Sequence, residues 1–380
     1  MLALLSTLLL APPVQDCPDP ALPPVCEALL PGTPLPFTNG AAPAVLALPP
    51  GTTEVDLVIL GHSENKGYHN FLQPLLDANP PVAGVQFTVT NLYIGGHEAF
   101  DWATPGSKGW KRIEDVVNGY TQHPVIALGL FSNNATFPIG APSAADPNWQ
   151  QFVADLEAIL DHLRQSPTLL ATYLTAHRYK PFNFLPCWWE NCAVGDVFAA
   201  AEAAGLGDVK PGPALHDAHW CCFPTCYAGD QAHTNMQGDE LMAEAWYNLL
   251  VAELTGCSSL PYGQGSPGGD GLVPVLKPAG AVPFPSLGNA DFGLAATHVP
   301  GSAAAFFAIG DQAAPGPFLV EPDFLFAGTP GPGFTSSLAL PVPANPVLAG
   351  AVFYAQAGFL DGGAAGGVAT TQGLELRLCP

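Results

Sequence analysis

Short apolar runs along the chain alternate with segments whose apolar residues repeat at helical spacing. Residues 55–60, Val-Asp-Leu-Val-Ile-Leu, read as a strand, and 67–76 as a short helix carrying Phe71, Leu72, Leu75 and Leu76. A second strand is expected at 85–90. The run at 125–131 is almost continuously apolar, as in a parallel strand covered on both faces. The clearest helix is 149–164, where Phe152, Leu156, Ile159, Leu160 and Leu163 share one face and Asp146-Pro147 provides a fitting start. A strand at 168–175, a helix at 197–204 and a closing helix at 238–254 follow, the last with Leu241, Met242, Ala245, Leu249 and Leu250 turned inward. Strands alternating with helices imply a three-layer α/β/α arrangement around a parallel sheet.

Past Cys257 the helical period disappears. Residues 258–380 are crowded with Gly and Pro and carry short runs such as Phe306-Phe307, Phe318-Leu319-Val320, Leu338-Ala339-Leu340 and Val352-Phe353-Tyr354. Regular short runs between turn signals predict a small β-sandwich, and so many Phe and Leu residues require burial. The opening run from Met1 to Ala11 is too short to span a bilayer and long enough for a signal-peptide core, although no basic residue precedes it. The expected organisation is therefore a signal peptide at 1–16, a Pro/Ala-rich extension at 17–52, an α/β domain at 53–256 and a β-sandwich accessory domain at 257–380.

Charge and cysteine usage narrow the setting. A formal net charge of -22 repels nucleic acid and anionic membrane, so neither is expected as a partner. Nine cysteines behind an apparent leader fit an oxidising, extracytoplasmic compartment. Cys257 and Cys379 bracket the C-terminal region and are placed to staple it, although spacing alone does not fix a pairing.

The candidate chemistry sits beside the predicted strand ends, where open parallel sheets collect their ligands. Ser63 follows the first strand in Leu60-Gly61-His62-Ser63-Glu64-Asn65, and Asp230-Gln231-Ala232-His233 precedes the closing helix. A serine hydroxyl needs a base within hydrogen-bond reach and a third group to orient that base, and Asp230 and His233 are the residue types for those roles. Two further loops, Asn91-Leu92-Tyr93-Ile94-Gly95-Gly96 and Phe131-Ser132-Asn133-Asn134, offer a glycine amide and amide side chains as oxyanion donors.

Together these four segments, over about 54–254, resemble the SGNH, or GDSL-like, hydrolase superfamily. Gly61-His62-Ser63 is similar to its Gly-Asp-Ser block, with His62 where aspartate is usual. Gly96 matches the second-block glycine, with Gly95 as the alternative register. Asn133 matches the third-block asparagine, although the Gly and Asp of that block are absent. Asp230-x-x-His233-x-Asn235-x-x-Gly238 fits the closing block over its whole length. The resemblance implies a flavodoxin-like α/β/α domain, a triad of Ser63, Asp230 and His233, and an oxyanion hole from Ser63, Gly96 and Asn133. It further implies hydrolysis of a carboxylic ester through an acyl-enzyme, with no metal or organic cofactor. The expected substrates are O-acetylated carbohydrate or short-chain acyl esters. No Gly-x-Ser-x-Gly elbow occurs, which separates the chain from the α/β-hydrolase arrangement.

Other signals leave two readings each. His62, Trp188 and Trp189 are candidates for a substrate wall beside the serine, or the tryptophans pack beneath a disulfide-stapled loop. His216, His219, Cys221, Cys222 and Cys226 contain metal-ligand types, but their spacing fits no standard zinc signature and favours paired thiols. The C-terminal region is similar to Gly/Pro-rich β-domains appended to secreted proteins of planctomycete-type bacteria. That likeness rests on Tyr262-Gly263-x-Gly265-x-Pro267-Gly268 and Leu338-x-Leu340-Pro341-x-Pro343, and implies a surface or secretion partner. The alternative to an esterase is a noncatalytic carbohydrate- or surface-binding protein on the same shell.

Overall fold

The computed structural model describes residues 46–131, 146–175, 184–213, 215, 227–228, 233–262, 265–269, 271, 273–280, 283–300, 304–314, 318–331 and 335–379. The chain divides between Thr255 and Gly256 into two compact units.

Five parallel strands run through the first unit: β1 (Glu54–Gly61), β2 (Gln86–Asn91), β3 (Val125–Leu130), β4 (Leu169–Leu174) and β5 (Val209–Pro211). Their spatial order is β2-β1-β3-β4-β5, the flavodoxin-like winding. Because side chains alternate along a strand, β1 divides its apolar residues between two layers. Val58 and Leu60 join Val125, Ala127 and Leu174 in one core, packed by α2 (Ala99–Ala103), α3 (Lys108–Gly119), α4 (Pro147–Leu163) and α5 (Phe184–Ala203). Ile59, Leu128 and Tyr173 share the opposite face. There α1 (His69–Ala78) packs on α6 (Met236–Thr255), and Tyr173 meets Trp246 edge to face with ring centroids 6.4 Å apart.

Local chemistry explains where these elements begin. Asp146 caps α4 by accepting from the Asn148 N–H at 2.8 Å, with Pro147 in the first turn where its missing N–H costs nothing. Ser107 caps α3 through the Trp110 N–H. Edge strand β2 is protected by Gln73 of α1, whose amide donates to the Phe87 carbonyl at 2.8 Å and accepts from the Val89 N–H at 2.7 Å.

Two expectations need correction. The helix expected at 197–204 begins at Phe184, so Trp188 and Trp189 lie on α5. No separation of apolar and polar residues at helical spacing marks that stretch, which hides the first half of the helix. In α6 the buried row is Met242, Trp246 and Leu250 with Ala243 and Tyr247, while Leu241, Ala245 and Leu249 are only half-buried. Both rows are apolar at i, i+4 spacing, and the sheet takes the one holding the larger rings.

The second unit is a β-sandwich. One antiparallel sheet orders β12 (Phe324–Ala327), β9 (Ala305–Gly310), β15 (Val352–Leu360), β17 (Gly373–Arg377) and β6 (Ser258–Tyr262), with β16 (Val368–Thr370) also on β15. The other orders β13 (Thr329–Gly331), β14 (Thr335–Ala339), β8 (Gly293–Thr297) and β7 (Val275–Ala279). Leu276, Leu294 and Ala296 from the smaller sheet share one core with Phe307, Ile309, Ala355, Ala357, Phe359, Leu374 and Leu376 from the larger. A short ribbon of β10 (Gln312–Ala313) and β11 (Val320–Glu321) lies beside them. Cys257 and Cys379 form a disulfide across 122 residues, with Cα atoms 4.8 Å apart.

Candidate active site

In the β2-β1-β3 order the winding reverses beside β1, and the carboxyl ends of β1 and β3 flank the crevice where this fold places its ligands. Ser63 is the second residue past the end of β1. Gly61 closes the strand with φ 121, a backbone that a side chain resists, and the chain then enters a single 3-10 turn over Ser63–Asn65. Two buried side chains hold this turn. Asn65 Nδ2 donates to the Leu60 carbonyl at 3.1 Å, and the Glu64 N–H donates to His62 Nδ1 at 3.3 Å. From the end of β2, Asn91 Nδ2 donates to the Asn65 carbonyl at 2.7 Å and lies 3.0 Å from His69 Nδ1.

His233 reaches the same point from 170 residues away. Its Nε2 is 3.1 Å from Ser63 Oγ, so with Nε2 unprotonated the hydroxyl donates to the imidazole. Backbone pairing at the base of the histidine loop fixes this reach. Tyr227 and Thr234 form an antiparallel bridge, and the Ala228 N–H donates to the His233 carbonyl at 2.8 Å. Asn235 completes the support. Its Oδ1 accepts from the Gln237 and Gly238 N–H groups at 2.9 and 3.2 Å, capping α6, while its Nδ2 donates to the Tyr227 carbonyl at 3.1 Å.

The glycine loop lies against the serine. A side chain on Gly95 would begin 3.8 Å from Ser63 Cβ, whereas Gly96 has no heavy atom within 4 Å of the corresponding point and adopts φ 76. Gly96 therefore suits its position through its backbone angle, and Gly95 is the glycine whose absent side chain would face the serine. The His97 N–H closes this turn onto the Ile94 carbonyl at 3.4 Å, and the Ile94 N–H donates to the Gly61 carbonyl at 2.8 Å. The loop is thus tied to the end of β1.

The third loop is described only at its first residue. Phe131 is buried, folds over Gly129 and meets Trp102 edge to face with centroids 5.5 Å apart. Asn133 and Asp230 lie outside the described residues, as does the His216 to Cys226 cluster. His62 is 1% exposed and folds back to cap its own turn, so it is not a surface for substrate as expected. Tyr68, just beyond the nucleophile turn, is fully buried, and loss of water raises its hydroxyl pKa well above the ordinary phenol value. That hydroxyl stays protonated throughout the working range of a serine–histidine pair.

Among the described residues no cluster of His, Cys, Asp and Glu is arranged to hold a metal, and no helix is long and apolar enough to cross a membrane. The sequence analysis reads Asn91 only as part of the glycine loop; its tie to the nucleophile turn carries no local signal.

No family model matches the chain, and no curated protein matches it. Among solved structures it is similar to an acetylxylan esterase from Geobacillus stearothermophilus, at 19% identity and a TM-score of 0.39, covering 53% of this chain and 95% of that one. A carbohydrate esterase family 3 protein from Talaromyces cellulolyticus is similar at 13% identity and a TM-score of 0.39, covering 53% and 98%. A family 3 carbohydrate esterase from Clostridium thermocellum is similar at 15% identity and a TM-score of 0.35, covering 51% and 94%.

Proposed function

We propose that the first unit is a serine esterase of SGNH type that hydrolyses carboxylic esters through an acyl-enzyme on Ser63. The observation that carries this reading is the 3.1 Å approach of His233 Nε2 to Ser63 Oγ at the carboxyl end of β1. A lone serine is a weak nucleophile, and an imidazole at this distance is the means by which it is activated.

The chemistry proceeds in two halves. As Ser63 Oγ bonds to the ester carbonyl carbon, its proton passes to His233 Nε2, and the carbonyl π electrons move onto oxygen. Amides of Ser63 and of the Gly95–Gly96 turn, with Asn133, are the proposed donors to that oxyanion, and Asp230 the proposed partner of the charged imidazole. Collapse of the adduct breaks the bond to the leaving alkoxide, which takes the proton from His233. Water then repeats the sequence on the acyl-enzyme, its proton moving to His233 and back to Ser63 Oγ as the acid leaves.

The substrate class we propose is a short-chain acyl ester, with O-acetylated carbohydrate as its biological form, met outside the cytoplasm. The Cys257–Cys379 disulfide supports that compartment, since such pairs persist where the medium is oxidising. Hydrolysis of an aryl acetate by purified protein tests the reading. Ser63→Ala is expected to remove turnover by the covalent route, and a variant as fast as wild type overturns the assignment. A panel of acetylated sugars, acetylated xylan and longer acyl esters then ranks the substrates.

A further inference from the structure

Asp239 stands between the two loops that carry the site. Its Oδ1 accepts a hydrogen bond from the hydroxyl of Thr234, the residue after His233. The same carboxylate lies against Gly67, four residues after Ser63. A Cβ built on Gly67 would fall within the carboxylate, overlapping Oδ2 and lying 2.8 Å from Oδ1. Gly67 has no positive φ, so the Asp239 carboxylate and not the backbone angle is what a side chain here would meet. On its own helix, the Asp239 N–H donates to the Asn235 carbonyl at 2.9 Å, within the first turn of α6.

We propose that Asp239 is a positioning residue, a strut that sets the Ser63–His233 spacing by holding Thr234 on one side and abutting Gly67 on the other. The inference rests on the esterase reading of that pair. Two properties of the contact favour a strut over a passive surface acid. It joins segments that are distant in sequence, each within a few residues of its reactive side chain. It also demands a matched pair of sizes, a carboxylate on the shortest acidic stem and a residue with no side chain. Neither Asp239 nor Gly67 touches the reacting atoms, so the effect runs through geometry. A displacement of about 1 Å between reacting groups can cost on the order of 10²-fold in rate.

The experiment is a mutant cycle on the full chain, read by the rate at which a fluorophosphonate labels Ser63 and by kcat and KM for an aryl acetate. Asp239→Ala and Gly67→Ala are each expected to lower kcat and labelling rate by roughly 10- to 100-fold with KM changed less than about threefold. Asp239→Asn keeps an oxygen for the Thr234 hydroxyl and is expected to recover most of the rate, while Asp239→Glu, too long for the gap, is not. In the Asp239→Ala background, Gly67→Ala is expected to cost much less than in wild type, because the atom it collides with is gone. Additive effects, or Asp239→Ala labelling as fast as wild type, overturn the strut. Absence of any Ser63 labelling in wild type overturns the esterase reading instead. Crystal structures of wild type and Asp239→Ala decide the strut even then: an Oγ–Nε2 distance that stays within hydrogen-bond range in the variant contradicts it.

Discussion

Removing the amide of Asn235 tests how the histidine loop is anchored. Three hydrogen bonds depend on that side chain: two N–H groups of the first turn of α6 donate to Oδ1, and Nδ2 donates to the Tyr227 carbonyl. Loss of a helix cap costs about 1 kcal/mol, and loss of one intramolecular hydrogen bond about another 1 kcal/mol. Asn235→Ala should therefore destabilise the first unit by about 2 kcal/mol, and for a unit of this size that lowers Tm by roughly 4–8 °C. Asn235→Asp separates the two contributions. It keeps an acceptor for Gln237 and Gly238 but places an oxygen against the Tyr227 carbonyl, so it should lose about 1 kcal/mol while the cap survives. Urea unfolding followed by tryptophan fluorescence measures both, because Trp246 lies in the same helix. If both variants unfold within about 0.5 kcal/mol of wild type, the anchoring argument is wrong.

Three further perturbations probe the two units separately. Glu253, almost buried, accepts from Lys210 Nζ at 2.8 Å and from the Tyr173 hydroxyl at 3.1 Å, so Lys210→Met should cost about 3–5 kcal/mol by leaving a buried carboxylate without its cation. Lys210→Met/Glu253→Leu should recover most of that loss in the same denaturant titration. Asp155 is 4% exposed, and burial raises its pKa, so its contribution to stability is fully present below the ordinary carboxylate pKa and is lost as pH rises through the raised folded value. Asp155→Asn should accordingly raise stability at pH 7 by about 1–3 kcal/mol and change it little in acid, as thermal unfolding across pH would show. Reduction of the Cys257–Cys379 disulfide, which closes 122 residues, should lower the stability of the second unit by about 2–4 kcal/mol, whereas a Cys257→Ser variant should not respond to reductant.

Much of this architecture is written in local patterns. The run before Gly61 is a strand because Val55, Leu57, Val58, Ile59 and Leu60 need burial on both faces, and Asp146-Pro147 marks a helix start by its own chemistry. The His233-x-Asn235 part of the closing block is legible for the same reason, since Asn235 caps the helix immediately after it. What escaped depends on partners distant in sequence. Gln73 covers the edge of β2, Asn91 ties the glycine loop to the nucleophile turn, and Asp239 fills the space that Gly67 leaves. Nothing in the neighbours of these residues predicts those contacts. Which of Gly95 and Gly96 faces the serine is likewise not legible from two adjacent glycines, which the fold separates by backbone angle and by what lies beside each. The inner row of α6 was ambiguous because two apolar rows compete and only the sheet selects between them.

The covalent intermediate tests the central claim most directly. Protein quenched during turnover of an acetyl ester, then digested and analysed by mass spectrometry, should carry one acetyl group on the peptide containing Ser63. The adduct should be absent from Ser63→Ala and formed far more slowly in His233→Ala. An acetyl group found elsewhere, or turnover that continues with Ser63 replaced, would contradict the account.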